Sequence, residues 1–337
     1  MSNVLVALGQ LVATTPPDAA AVGGQGLERF IATFFRGLAM GSIYALLALG
    51  FVLVFKATQT VNFAQGAIAM IGTYTLSLLL VDWEIPGRWL GDNTYLVWFG
   101  ALIIALALSV LLGLVIERLI IRRMIGEPLF SIAVITLGLE AVLRTLGVDA
   151  IGVNNRSLEI PWGREAFDLG GANIYWSYIF AIVAAGVTFV AIYLFFQTRA
   201  GIAMRAVALD QEASMAQGIS VGRVFAIAWG AGAAVAVLGA IAYSMSPISA
   251  GTATAATAAL AFRALPAVIL GGLDSVVGAL VGGVAIGMAE VMAGTYLSNW
   301  TDTLGVGYQL IVPYVIMMIV LLVRPYGLFG TPEVRRV

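Results

Sequence analysis

Two amide side chains stand at the start of an apolar stretch, "VNFAQGAIAMIGTYTL" (61–76). Asn62 and Gln65 are three residues apart, so a helix would place them side by side on one face. Amides in an apolar environment can hold helices together by hydrogen bonds. They can also meet a polar solute near a broken helix, where backbone groups are free. Both interpretations stay open, and Gly66 belongs to the same candidate site.

A second candidate is the motif "GGLDS" (271–275), which interrupts the apolar residues 252–293. Glycines and a carboxylate at membrane depth are tolerated only where they are buried in protein or line a water-filled cavity. We therefore add Gly271, Gly272 and Asp274 to the candidate translocation pathway. Asp274 is expected to make a turn, with a role facing the pathway or a partner as the alternative.

Glu140 and Arg144 are one helical turn apart in "LGLEAVLRTLG", with the acid on the N-terminal side. This is the favourable i, i+4 order for an ion pair. A charge in the membrane is costly, so the two groups are expected to neutralise each other as a structural pair. A proton relay would need further ionisable groups in the same span, and the sequence offers none.

Residue types that most enzymes need are missing. Cysteine and histidine are absent and lysine occurs once, at Lys56. We therefore predict no catalytic residue, no metal and no cofactor bound by this chain. No glycine-rich loop ends in Gly-Lys-Ser/Thr, so any ATP hydrolysis belongs to a partner. A net charge of −1 without a basic run argues against nucleic acid as a partner.

Composition indicates an integral membrane protein, because the 337 residues are 61% hydrophobic and only 10% charged. We predict one all-α membrane domain, 34–323, which is a polytopic bundle of transmembrane helices. Seven apolar runs are long enough to span the bilayer, and residues 252–293 raise the total to about eight or nine segments. The seven runs are 34–55, 61–81, 95–116, 129–147, 176–196, 224–245 and 308–323.

Arginines indicate which loops face the cytoplasm, since cytoplasmic loops are enriched in Lys and Arg. Loops 117–128 and 197–223 and the C-terminal tail, 324–337, carry three arginines each. We expect all three to be cytoplasmic. Loops 82–94 and 149–175 carry fewer arginines among more acidic residues, which fits the outside.

The number of crossings constrains the long apolar stretch. Loop 197–223 and the C-terminal tail share one side of the membrane, so an even number of crossings must lie between them. The spans at 224–245 and 308–323 already supply two crossings. Residues 252–293 must therefore cross twice or fold back as a re-entrant hairpin with 271–275 as its turn. The same argument places the N-terminal tail, 1–33, outside the cytoplasm.

The loop between the fifth and sixth spans contains a segment, 203–218, with the composition of a short helix that stops at Gly218. A helix lying on a membrane usually has a strongly basic polar face, whereas this one mixes arginine with acids. We predict that it docks in a groove of a partner protein. The residues expected to carry this contact are Met204, Arg205, Ala206, Asp210, Glu212, Ala213 and Gly218.

Four motifs occur in order: "GSIYALLALGFVLVFKATQTVNFAQGAIAMIGTY", "GIAMRAVALDQEASMAQGIS", "AVILGGLDSVVGALVGGVAIGMAE" and "LLVRPYGLFG". Together they resemble the permease subunits of bacterial branched-chain amino acid ABC importers, specifically the H-type subunit. The resemblance extends from about residue 34 to the tail. It implies a type II-like importer permease in the bacterial cytoplasmic (inner) membrane, with the N-terminus outside and the C-terminus in the cytoplasm.

The resemblance also implies partners: a second homologous permease, one or two ATP-binding cassette ATPases, an extracytoplasmic solute-binding protein and membrane lipid. ATP and Mg would be bound by the ATPases, and segment 203–218 would be the coupling helix that docks on them. The amides match the family motif Asn-Phe-Ala-x-Gly at 62–66, with Gln65 where many relatives carry histidine. That departure argues against an acid or base role for Gln65.

The expected solutes are leucine, isoleucine and valine. Importers of urea or short-chain amides belong to the same broader family, so these solutes stay open. A secondary transporter driven by an ion gradient would need mid-membrane carboxylates and inverted repeats. The sequence shows no clear repeat, and Glu140 is already paired. A membrane enzyme is disfavoured by the lack of His and Cys, and a passive channel would not need a docking helix.

Overall fold

The computed structural model describes residues 26–152 and 154–331, and most of these are helical. The predicted N-terminal tail up to residue 25, and Arg335 and Arg336 of the C-terminal tail, lie outside the described residues. The α-helices are α1 (Gly26–Thr58), α2 (Gln65–Ser77), α3 (Gly87–Leu90), α4 (Thr94–Leu119), α5 (Leu129–Ile151), α6 (Trp176–Phe195), α7 (Arg199–Leu209), α8 (Gln211–Ala216), α9 (Val221–Met245), α10 (Leu260–Gly271), α11 (Val276–Tyr296), α12 (Thr301–Leu304) and α13 (Val312–Val323).

Seven helices in the described part of the chain are long and apolar enough to cross a membrane. Six of them coincide with predicted spans, and the seventh is α11. Two shorter apolar stretches, Ala255–Gly271 and Tyr308–Val323, bring the number of candidate segments to the upper end of the predicted range. The polytopic helical bundle predicted from composition is therefore confirmed. Among the described residues, α1 extends over Gly26–Thr58 and is therefore longer than the predicted span, 34–55.

Residues 252–293 form a helical hairpin, as the parity argument predicts. A 3₁₀ turn at Ala255–Ala259 leads into α10, which ends at Gly271, and α11 begins at Val276. Gly272 has a φ of +102°, a conformation that favours glycine and allows the chain to reverse. The Ser275 side chain then caps α11 by accepting a hydrogen bond from the Gly278 N–H.

Helix α1 lies at the centre of the bundle. In its most apolar 18-residue window 89% of the residues are buried, against 17% in α5, which is therefore peripheral. Glycines let α11 approach α1 closely, because a Cβ added at Gly283 or Gly287 would collide with the α1 backbone at Ala45 or Gly41. The core thus forms around the α1–α11 contact.

In residues 26–152 and 154–331, four short strands are the exceptions to the helical fold, and they lie in segments on the side predicted to be outside. β1 (Arg156–Ser157) pairs with β4 (Thr252–Ala253), and β2 (Ala166–Leu169) pairs with β3 (Ala172–Tyr175), both antiparallel. The first pair ties the long loop before α6 to the chain entering α10. This fixes the start of the hairpin against the rest of the bundle.

Candidate translocation pathway and coupling surface

The chain between α1 and α2 is irregular until Gln65, so Asn62 lies before the helix. The prediction that Asn62 and Gln65 share a helical face is therefore wrong. Asn62 Oδ1 accepts a hydrogen bond of 3.0 Å from the Ala64 N–H, which stabilises the turn into α2. Gln65 Nε2 donates a hydrogen bond of 2.8 Å to the Leu47 carbonyl of α1. Both amides are buried.

The break before α2 meets the irregular start of the hairpin inside the bundle. A Cβ added at Gly66 would collide with the Ala258 carbonyl of the 3₁₀ turn that precedes α10. Gln65 Oε1 is buried and has no hydrogen-bond partner among the described residues. Polar backbone and amide groups thus gather where two interrupted segments touch, which is the kind of place where transporters hold polar solutes.

The turn of the hairpin, on the side predicted to be cytoplasmic, is held by the C-terminal segment 327–331. The Leu328 and Phe329 N–H groups donate hydrogen bonds of 2.8 and 3.1 Å to the carbonyls of Leu270 and Gly271. The half-buried Asp274 carboxylate accepts hydrogen bonds from the N–H and the hydroxyl of Thr331. Asp274 therefore makes the predicted turn, and in doing so it binds the tail, which the sequence did not reveal.

The predicted pathway residues fall into two groups rather than one. Gly66 lies against Ala258, just before α10, whereas Gly271, Gly272 and Asp274 lie at and after its other end. The helical stretch Ala255–Gly271 separates the two groups by about 20 Å. Helix α10 is thus the element through which the two groups are connected.

The prediction of a single docking helix at 203–218 is wrong in its extent. The segment forms two helices, α7 and α8, which are separated at Asp210. Asp210 has an extended conformation, and its Oδ1 accepts a hydrogen bond of 2.9 Å from the Ala213 N–H, so it caps α8. Gly218, with a φ of +81°, follows the end of α8, as predicted.

Only part of this segment is available to a partner. Met204 and Val207 are each 1% exposed and anchor α7 to the bundle. Met204 is therefore an anchor rather than a contact residue. Ala206 is half-buried, whereas the remaining predicted contact residues are exposed: Arg205, Asp210, Glu212, Ala213 and Gly218.

The single lysine lies between the hairpin turn and helix α7, the two features on the side predicted to be cytoplasmic. Lys56 lies near the end of α1, within electrostatic range of both Asp274 and Arg205. Its ammonium group also lies over the Phe196 ring, 5.3 Å from the centroid. The hairpin turn, the end of α1 and helix α7 therefore lie on one side of the bundle, which is the side predicted to be cytoplasmic.

The predicted Glu140–Arg144 pair is confirmed, with 3.0 Å between Arg144 Nε and Glu140 Oε1. No role was predicted for Glu290 of α11, whose Oε2 accepts a hydrogen bond of 2.6 Å from Tyr44 Oη of α1. A signal was present, because a glutamate in an apolar helix is itself an indication of function.

Apolar segments, interrupted helices inside the bundle and an exposed two-helix segment together define a polytopic helical membrane protein. A family model described as branched-chain amino acid transport system / permease component matches residues 33–321. The chain therefore belongs to this permease family.

Curated relatives agree with this assignment. The chain is 27% identical to the high-affinity branched-chain amino acid transport system permease protein LivH of Salmonella typhimurium, over 91% of this chain and 98% of the relative. It is 28% identical to BraD of Pseudomonas aeruginosa, over 92% and 99%. It is 29% identical to a probable LivH of Methanocaldococcus jannaschii, over 86% and 89%. No solved structure gives a significant match.

Proposed function

We propose that this chain forms one half of the translocation pathway of an ABC importer for leucine, isoleucine and valine. The observation that carries the proposal is the family match over residues 33–321, and the relatives named above support the solute class. A second homologous permease completes the pathway. Partner ATPases bind ATP and Mg and hydrolyse ATP, and an extracytoplasmic binding protein delivers the solute.

The importer lies in the bacterial cytoplasmic membrane. The arginine-rich loops support an N-terminus outside and a C-terminus in the cytoplasm. In this orientation α7 and α8 face the ATPases, and the paired strands face the binding protein.

Helices α7 and α8 dock in a groove of an ATPase. Two large apolar side chains of α7, Ile202 and Leu209, are 53% and 89% exposed, which favours a protein partner over solvent. The same helix is anchored through Met204 and Val207 and lies between α6 and α9. Closure of the ATPases therefore moves the membrane helices with it.

Solute passes along α10. Asn62, Gln65 and Gly66 border the path at the break before α2, and Gly271, Gly272 and Asp274 border its cytoplasmic end. The electrostatic interactions of Lys56 with Asp274 and Arg205 support this path, because a movement of α7 would change the charges that act on the hairpin turn. The buried amides correspond to a closed path, which opens when the hairpin moves away from α2.

Purification with co-expressed partners tests the proposal. The chain is isolated in mild detergent through a gentle affinity tag, and its co-purifying subunits are identified by mass spectrometry. We expect a second permease and ATPases, and in proteoliposomes ATP-dependent uptake of leucine that requires the binding protein. A chain that transports alone would contradict the proposal, and uptake of urea without leucine would overturn the solute.

Arg205→Glu tests the coupling role. Reversal of an exposed charge on α7 should lower uptake at least tenfold in the reconstituted complex, while ATP hydrolysis continues, because the docked contact no longer transmits movement. Arg123→Glu changes another exposed arginine on the side predicted to be cytoplasmic and should leave uptake unchanged. Normal uptake by the Arg205 variant would show that α7 does not couple.

A further inference from the structure

A groove lies between the end of α4 and the first turns of α9. Its volume is about 420 Å³, and its walls are mainly apolar, with Leu114 and Leu119 on α4 and Ala226 on α9. Three charged side chains also line it, at or just beyond the end of α4: Glu117, Arg118 and Arg122. The groove therefore combines an apolar part with a charged part.

Two of the three charged side chains neutralise each other. Arg122 Nε and Nη2 each donate a hydrogen bond of 2.9 Å to the buried carboxylate of Glu117, which is a bidentate ion pair. Arg122 Nη2 also donates a hydrogen bond of 3.0 Å to the Gly222 carbonyl, at the start of α9. This pair fastens α4 to α9 beside the groove.

Arg118 is the charge that remains. Its side chain is exposed, and it makes no ion pair among the described residues. Because Glu117 is already paired with Arg122, the side chains that line the groove leave one formal positive charge uncompensated. An apolar groove that ends at a free guanidinium group is complementary to an amphiphile with an apolar chain and an anionic head.

The surface around the groove indicates where such an amphiphile comes from. Leu111 of α4 and Ile227 of α9 are large apolar side chains that are exposed next to the groove, as expected for a surface that faces lipid tails. Arg118 is the second-last residue of α4, so its guanidinium lies at the level of the lipid headgroups. Basic pockets between transmembrane helices on the cytoplasmic side are typical binding sites for anionic headgroups.

The size of the groove fits part of a lipid better than a helix of another protein. A volume of about 420 Å³ lies in the range of pockets that hold small molecules. The backbones of α4 and α9 approach closely, since a Cβ added at Gly113 would lie 2.5 Å from the Trp229 carbonyl. A partner helix, about 10 Å across, would cover this groove without filling it.

We propose that the groove binds one anionic phospholipid of the leaflet on the side predicted to be cytoplasmic. Arg118 binds the phosphate, and the first part of one acyl chain lies beside Leu114 and Ala226. The lipid would then support the contact between α4 and α9, close to the point where α9 follows the predicted coupling segment. The inference goes beyond the proposed function and does not depend on the solute.

Native mass spectrometry of the full chain in mild detergent tests the headgroup contact. Phosphatidylglycerol or phosphatidylcholine is added, and we expect one phosphatidylglycerol to be retained at least fivefold more tightly than phosphatidylcholine. Arg118→Gln should weaken phosphatidylglycerol binding at least fivefold, because the phosphate loses its cationic partner. Arg123→Gln is the matched control: Arg123 is exposed nearby but does not line the groove, so binding should be unchanged.

A second pair of variants tests the acyl-chain contact. Ala226→Phe fills the apolar part of the groove and keeps Arg118, and it should also weaken phosphatidylglycerol binding at least fivefold. Ala107→Phe adds the same side chain to an exposed position of α4 outside the groove and should bind like the wild type. Added phosphatidylglycerol should raise the unfolding temperature of both control variants and of neither groove variant.

Several results would overturn the lipid site. One is equal affinity for the two phospholipids, and another is wild-type binding by Arg118→Gln. Tighter retention of oleate than of phosphatidylglycerol would assign the groove to a free fatty acid instead. Loss of the bound lipid when the second permease is co-purified would show that a protein covers the groove. None of these results bears on leucine uptake, so the proposed importer is tested separately.

Discussion

Two of the charged groups in the described membrane segments of this permease differ in how their carboxylates are held. Glu140 and Arg144 belong to one peripheral helix, form an ion pair of 3.0 Å and contain one charge of each sign. Glu290 lies on α11 and accepts a hydrogen bond of 2.6 Å from Tyr44 Oη of α1, and it makes no ion pair among the described residues. The first group is complete in itself. The second depends instead on a hydrogen bond between two helices, and no opposite charge lies within ion-pair distance of Glu290 among the described residues.

The difference also shows what each group needs from the fold. The pair on α5 requires only helical spacing, so it would form in an isolated helix. The group around Glu290 exists because α11 lies against α1 without side chains between them at Gly41, Gly283 and Gly287. Substitutions that disturb the second group should therefore have large effects on the folded permease, and substitutions that disturb the first group should have small ones.

The largest effect is expected for Gly287→Leu. Even a Cβ at this position collides with the backbone of Gly41, so α1 and α11 would have to separate along their whole contact. We expect a loss of about 3 kcal/mol or more, enough to remove most folded permease. The measurement is the yield of monodisperse protein by size-exclusion chromatography in detergent.

Gly186→Leu is the control for that substitution. Gly186 lies on α6 with open space where its Cβ would be, so the larger side chain adds surface without a collision. Its yield should match the wild type. A normal yield from Gly287→Leu would mean that α1 and α11 do not pack as closely as described.

The sequence predicts what depends on local spacing. The bundle, the hairpin with its turn at 271–275 and the Glu140–Arg144 pair all follow from apolar runs, arginine distribution and helical periodicity. The break at Asp210 could also have been found, because an aspartate three residues before an exposed helical N–H is a typical cap. It was missed because the composition on both sides favours helix.

What the sequence could not predict depends on contacts between distant residues. Asp274 accepts a hydrogen bond from Thr331, which is 57 residues away, and Glu290 accepts one from Tyr44, which is 246 residues away. Likewise, Gln65 donates its hydrogen bond to the Leu47 carbonyl only because α2 packs on α1. No periodicity encodes such pairings in a single sequence.

An intermediate effect is expected for Tyr44→Phe. Loss of the hydroxyl leaves the buried Glu290 carboxylate without its hydrogen-bond donor, which should cost about 1–3 kcal/mol. The unfolding temperature of the purified complex should fall accordingly. Tyr74→Phe is the control, because the Tyr74 hydroxyl is buried without a partner among the described residues, and its removal should be neutral or stabilising. Equal shifts for both variants would argue against a special bond at Glu290.

The smallest effect is expected on α5, and it has a characteristic order. Arg144→Gln leaves Glu140, whose side chain is only 13% exposed, without its partner inside the membrane and should destabilise the permease measurably. Adding Glu140→Gln removes that isolated charge, so the double variant should return to within about 0.5 kcal/mol of the wild type. Thermal unfolding of the three proteins measures this order. A double variant less stable than the single one would show that the α5 pair also contacts something beyond itself, and the contrast with the Glu290 group would then disappear.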